Sequence, residues 1–138
     1  MLENQTDISR LFGEVAQILS VREDVLLAFL FGSVARGRST PSSDVDVAVL
    51  FRLRPGLDQV NDLQEMLSEA LHREVDIVVL NDACPIIRMQ VLRNGVLVVN
   101  RLPRAYHDFF VRTVKEYDDL KRIREGIEKN ILRGRIYA

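Results

Sequence analysis

Apolar and polar positions along the chain change period several times, and each change predicts an element. After Asp7 and Ser9, either able to cap a helix, Leu11, Val15, Ile18 and Leu19 recur at helical steps, predicting an amphipathic helix over residues 8–20. Val25 to Phe31 is an unbroken apolar run closed by Gly32. It is too short for a typical helix and suits a strand buried on both faces. Residues 33–43 hold almost no apolar side chains and predict a loop, with room for one helical turn after Ser33. From residue 44 to 51 the pattern alternates at first, placing Val45, Val47 and Val49 on one face of a strand and Asp44 and Asp46 on the other. Pro55 and Gly56 end it.

Leu57, Val60, Leu63, Leu67 and Leu71 form one stripe, which predicts a helix over 57–71. Residues 74–80 read as a third strand, 83–93 as a helix broken by Gly95, and the β-branched run 96–99 as a fourth strand. From Pro103 the apolar positions Phe110, Val114, Tyr117, Leu120, Ile123, Ile127 and Ile131 step by three or four residues, predicting one long helix to about residue 133. Such a helix spans roughly 40 Å, more than a domain of this size requires, so part of it is expected to reach a partner. The fold class is α/β (α+β): a mixed sheet of about four strands flanked by helices. One domain is expected over residues 1–138, with a core at 8–100 and a helical extension at 103–133.

Composition narrows the chemistry. A chain of 138 residues, 47% hydrophobic and 28% charged, has the balance of one globular domain. Its start lacks the basic and apolar regions of a secretory signal, and no stretch is apolar enough to span a bilayer, so a cytoplasmic protein without a membrane association is expected. Cys84 is the single cysteine, and with His72 and His107 it makes a poor zinc set, so any metal should be oxygen-ligated. The net charge of −1 argues against stable nucleic-acid binding by the whole surface. The charge is uneven: residues 1–100 carry 14 acidic and 9 basic side chains, residues 101–138 carry 6 and 10.

Three carboxylates and one Gly-Ser turn stand out. Asp44 and Asp46, two apart in a strand, project to the same side, although aspartate is poorly suited to strands. Two ionised carboxylates that close repel unless a divalent cation lies between them. Mg²⁺ is typically held by one or two carboxylates plus substrate phosphates. Asp76, in the third strand, would face the same site if that strand neighbours the second. Gly32 follows a buried strand and lets backbone approach a phosphate, Ser33 can cap a turn whose free N–H groups favour an anion, and Arg36 and Arg38 add positive charge.

Gly32-Ser33, ten residues, then Asp44-Val45-Asp46 resembles the Gly-Ser-x10-Asp-x-Asp signature of the DNA-polymerase-β-like nucleotidyltransferases. Phe31 to Gly37 and Ser43 to Val47 look like the small stand-alone branch, the minimal nucleotidyltransferases. His107-Asp108-Phe109, followed by Lys115-Glu116-Tyr117 and Leu120 to Arg124, is similar to the ending of the MntA-type antitoxins, partners of HEPN toxins. The resemblance covers residues 25 to about 125. It implies two Mg²⁺ ions, transfer of AMP from ATP, and for the antitoxin branch adenylylation of a tyrosine on the cognate HEPN toxin in a hetero-oligomer. On that basis Asp44 and Asp46 are the shared metal ligands and catalytic carboxylates. Asp76 serves the acceptor-side metal and can take the acceptor's proton. Gly32, Ser33, Arg36 and Ser43 bind the nucleotide.

Plainer readings exist for each residue. A bare Asp-x-Asp is more often a solvated strand face, and Asp76 alone reads equally as an edge-strand charge; the Gly-Ser turn at the right spacing reverses the first. Cys84 reads as a small half-buried side chain, His72 as a helix C-terminus, and the basic tail as a solvated helix face. Two other functions stay open: an antitoxin that occludes its toxin without catalysis, and a transferase acting on a small molecule such as an aminoglycoside. A neighbouring gene for a small helical protein with an Arg-x4-His motif distinguishes the last from the antitoxin readings.

Overall fold

A computed structural model describes residues 2–32 and 44–137, with the side chains of 9–32 and 44–132. Among the described residues the order is α1 (Leu2–Ser20), β1 (Val25–Phe31), β2 (Val45–Phe51), α2 (Leu57–Leu71), β3 (Val75–Val79), α3 (Pro85–Asn94), β4 (Val96–Asn100) and α4 (Pro103–Tyr137). The strands form one mixed sheet in the order β3-β2-β1-β4. β1 is antiparallel to both its neighbours, whereas β2 and β3 are parallel, joined by the α2 crossover that parallel pairing requires.

The unbroken apolar run of β1 follows from its central place. Ala28 and Leu30 pack into one hydrophobic layer with α1 and α2, and Leu27 and Phe29 into a second layer with α3 and α4. β2 keeps the alternation read from its sequence: Val45, Val47, Val49 and Phe51 are buried in the first layer, together with Val15 and Leu19 of α1 and Leu63 and Leu67 of α2. In the second layer the Phe29 ring lies 6.4 Å from that of Tyr106 and 6.3 Å from that of Phe109, so the first turns of α4 are fixed by aromatic contact.

Polar side chains close the ends of these elements. The Asn81 amide pairs with the Phe51 backbone in both directions at 2.9 Å, accepting from its N–H and donating to its C=O, and so extends the ladder past β3. Arg101 donates to three carbonyls, Val25 at 2.8 Å, Ser20 at 2.7 Å and Arg22 at 2.8 Å, binding the end of α1 and the start of β1 to the end of β4. Arg88 of α3 donates to the Leu80 carbonyl and to Glu116 of α4, which also accepts from Arg112. His72 ends α2 in the left-handed conformation, φ 54°, with its N–H on the Ser68 carbonyl; it is the helix terminus its position suggests.

Four features differ from expectation. α1 begins at Leu2, so Asp7 and Ser9 lie inside it rather than capping it. α4 continues to Tyr137 rather than ending near 133. Cys84 is exposed, at the N-cap of α3 before Pro85, and not half-buried. Proline at the first helical position needs no N–H there, which places the start of α3 two residues later than its apolar pattern does. Among the described residues no helix is long and apolar enough to cross a membrane.

Candidate active site

The second and third strands start at the same level of the sheet. The Val45 amide donates to the Glu74 carbonyl at 2.9 Å, and from there Val45 pairs with Val75 and Asp46 with Asp76. Paired residues of adjacent strands face the same side, about 5 Å apart at the backbone, so the two carboxylates are neighbours on the face opposite Val45 and Val75. On the other side of β2, Phe31 is the register partner of Asp46. Asp44 precedes the strand by one residue and is exposed, as is Asp76, while Asp46 is half-buried.

Immediately after Phe31 the chain turns through Gly32, at φ 77°. A Cβ there would overlap a carboxylate oxygen of Asp46 and lie 3.2 Å from its Cγ. Glycine is therefore required twice, for the left-handed backbone and for the approach of the turn to the aspartate. Partial burial, and then the charges of Asp76 and Asp44, raise the Asp46 carboxyl above its ordinary pKa. The end of the sheet thus carries a concentration of negative charge.

The donor chemistry fits a hard cation. All three groups offer carboxylate oxygen, which suits Mg²⁺ and not the soft-ligand metals. Among the described residues no three His, Cys, Asp or Glu side chains are gathered closely enough to enclose an ion by themselves. Mg²⁺ dehydrates reluctantly and is ordinarily bound by one or two carboxylates together with substrate phosphates, so a complete protein cage is not what its chemistry asks for.

The structure brings together Gly32, Asp46 and Asp76, with Asp44 at the rim. Ser33, Arg36, Arg38 and Ser43 lie outside the described residues. Phe31 lies beside Asp46, and the apolar run alone does not distinguish it; only its place at the head of the Phe31–Gly37 stretch does. A cavity of about 520 Å³ opens on the same face but at the far end of β2 and β3, lined by Leu50, Leu80, Arg88, Asp108 and Arg112. It does not contain the carboxylates. Open, charged sites that a substrate completes need not be deep, and the carboxylate chemistry rather than the concavity locates this one.

Residues 13–104 match the sequence pattern of the family described as polymerase beta nucleotidyltransferase, a span that includes Gly32 and all three aspartates. The chain belongs to this family. Among relatives of this nucleotidyltransferase, the protein adenylyltransferase MntA of Shewanella oneidensis is 32% identical over 111 residues, 77% of this chain and 76% of that protein. A protein of Methanocaldococcus jannaschii, provisionally named a protein adenylyltransferase, is 32% identical over 79 residues, 57% of this chain and 85% of its own. In three dimensions the nucleotidyltransferase is similar to a chain of a toxin–antitoxin crystal structure containing AMP-PNP, with a TM-score of 0.75, 26% identity, and coverage of 88% of this chain and 98% of that one. The family match ends where α4 begins, so the sheet carries the shared pattern and almost all of α4 lies beyond it.

Proposed function

We propose that the protein transfers AMP from ATP to a tyrosine hydroxyl of a cognate HEPN-type toxin and thereby acts as its antitoxin. The observation that carries the reading is the register pairing of Asp46 with Asp76 beside the Gly32 turn. Support for the nucleotide and acceptor comes from the relative named protein adenylyltransferase and from the likeness to a toxin–antitoxin structure with an ATP analogue.

In this reading Asp44 and Asp46 hold Mg²⁺, and Asp76 holds the acceptor-side ion. When bound, the metal supplies charge neutralisation at the phosphates and lowers the barrier to in-line displacement. Asp76 accepts the acceptor's proton as its oxygen bonds to the α-phosphorus, and pyrophosphate departs as the α–β bridging bond breaks. Gly32 brings the turn's backbone against Asp46, beside the carboxylates, and with Ser33, Arg36 and Ser43 it would bind the outgoing phosphates. Positioning and charge neutralisation account for most of the acceleration in phosphoryl chemistry of this kind.

Incubating the protein with the HEPN-type toxin proposed as its partner, sought among neighbouring genes, with labelled ATP and Mg²⁺ tests the reading, with label on the toxin as the expected result. Asp44→Asn should lower transfer at least about 100-fold, since a metal ligand is worth several kcal/mol of transition-state stabilisation. A stable, unlabelled complex would instead establish occlusion, and an Asp44→Asn protein that still labels the toxin would remove the carboxylate assignment.

A further inference from the structure

The apolar stripe of α4 has two fates. Its first half is covered within the chain on a face set by Phe109 and not by Phe110, which is 45% exposed: Phe109 is buried, Tyr106 packs on Phe29, Thr113 is fully buried, and Tyr117 lies under the Arg93 guanidinium, 5.4 Å from its ring centroid. The stripe then continues without cover. Ile123 is 59% exposed, Ile127 53% and Ile131 53%, spaced by four residues on one side of a helix of 35 residues. At the standard rise that helix is about 50 Å long, against roughly 30 Å for the diameter of a small domain.

Basic side chains of this half of the helix are unpartnered among the described residues as well. Lys121, Arg122, Arg124 and Lys129 make no ion pair with any described residue. From Leu120 to the last residue the sequence carries six basic and two acidic side chains. A mid-helix glycine, Gly126, sits one residue before Ile127, and apart from its chain neighbours and the adjoining helix backbone no atom of the described chain lies within 4 Å of where its Cβ would be. Glycine at an exposed helix interior is unfavourable, and no contact within the described chain requires it.

We infer that the distal half of α4 is the docking surface for the protein acceptor, and that it receives an amphipathic helix of that partner that carries net negative charge. This deepens the function proposed above and rests on it. Charge complementarity selects the occupant. A second copy pairing through the same stripe would set one helix end of net positive charge, with six basic and two acidic residues, against another, and like charge across a helix pair is unfavourable. Neither α1 nor α2 of a second copy offers a helical seam, because both spend their apolar stripes on the sheet. Isoleucines at successive turns, on a helix end of net positive charge, fit a partner helix that is apolar along one stripe and acidic overall.

The test uses this 138-residue chain and a HEPN-type toxin, taken from a neighbouring gene where one is found. Affinity is measured by calorimetry and AMP transfer by labelled ATP with Mg²⁺, for wild type, Ile127→Asp and the double variant Lys121→Glu/Arg124→Glu. Wild type and variants should share a melting temperature, since these side chains are exposed. If a variant is less stable, Ile127→Ala replaces Ile127→Asp in the comparison. Each variant should bind the toxin at least about 10-fold more weakly, and the double variant should show a shallower dependence of affinity on salt. Unchanged affinity, alongside normal transfer by wild type, overturns the docking surface and leaves the proposed function standing. Failure of wild type to bind the toxin overturns both. If sedimentation finds a dimer of the protein alone that Ile127→Asp dissolves, the stripe belongs to a second copy and the inference is wrong.

Discussion

Asp46 concentrates the conflict between stability and chemistry in one side chain. Burial first, and then the neighbouring charges of Asp76 and Asp44, raise its pKa in the folded protein. A carboxyl whose folded pKa lies above its unfolded value favours the fold below the unfolded pKa, and that advantage is lost as pH rises through the folded pKa. At neutral pH without metal, ionised Asp46 therefore weakens the fold. Asp46→Asn should melt at a higher temperature than wild type in chelator at about pH 7, with the difference shrinking as the solution is acidified below the ordinary carboxylate range. Adding Mg²⁺ should stabilise wild type and not the variant, because only binding to the native state shifts the equilibrium. Scanning calorimetry across pH, with and without Mg²⁺, checks both signs; a variant that responds to Mg²⁺ as wild type does would sever Asp46 from the cation. Gly32→Ala strikes the same place from the other side. The left-handed backbone and the overlap with Asp46 should together cost about 1–3 kcal/mol in chemical denaturation. Transfer should fall further than stability does, since the aspartate must turn away to admit the methyl group.

At the level of elements, chemistry that looks alike in a sequence separates once the fold is known. Arg101 counts in the sequence as one more cation of a basic tail, yet it holds three backbone carbonyls at 2.7–2.8 Å. Removing it leaves those acceptors without their charged donor, and hydrogen bonds to charged groups contribute about 1.5–3 kcal/mol each in favourable cases. Arg101→Ala should thus destabilise by about 2–4 kcal/mol, and Arg101→Lys by about half as much, because an ammonium lacks the planar fork that reaches several acceptors at once. Arg10, in an exposed pair with Glu14, serves as the control and should change stability by under about 1 kcal/mol when replaced by Ala. Urea denaturation of the three variants compares them. The same contrast explains what the sequence can disclose. Strands and helices are legible because burial imposes its period on the residues of each element, and the apolar run of β1 marks both its ends. Alternation alone places Asp44 and Asp46 on one face. It cannot pair Asp46 with Asp76, since that depends on which strands are adjacent, and β2 and β3 meet only after a crossover of more than twenty residues. Nor does it locate the start of α1, where Asp7 and Ser9 have the chemistry of caps but sit within a continuous helix.

Across the whole molecule, the proposed catalytic and docking functions occupy different regions of one short chain. The sheet, with α1, α2, α3 and the first turns of α4, encloses the two hydrophobic layers, and among the described residues the last fully buried side chain is Thr113. Tyr117 and Leu120 are half-buried, and beyond them Ile123, Ile127, Ile131 and Leu132 contribute no buried area within the chain comparable to a core residue. Tolerance of truncation follows from burial and not from position in the sequence. A chain ending at Arg122 should therefore fold with a melting temperature within a few degrees of wild type and keep its Mg²⁺-dependent stabilisation, because the carboxylates and their supporting strands are untouched. Its transfer to the toxin should nevertheless fall at least about 10-fold, through a weaker association and not a slower step at saturating toxin. Measuring initial rates against toxin concentration separates the two: a raised half-saturation with little change in maximal rate places the lost contacts in docking. A lowered maximal rate with unchanged half-saturation would mean that the distal helix shapes the active site itself, and the division between catalytic sheet and docking helix would then fail.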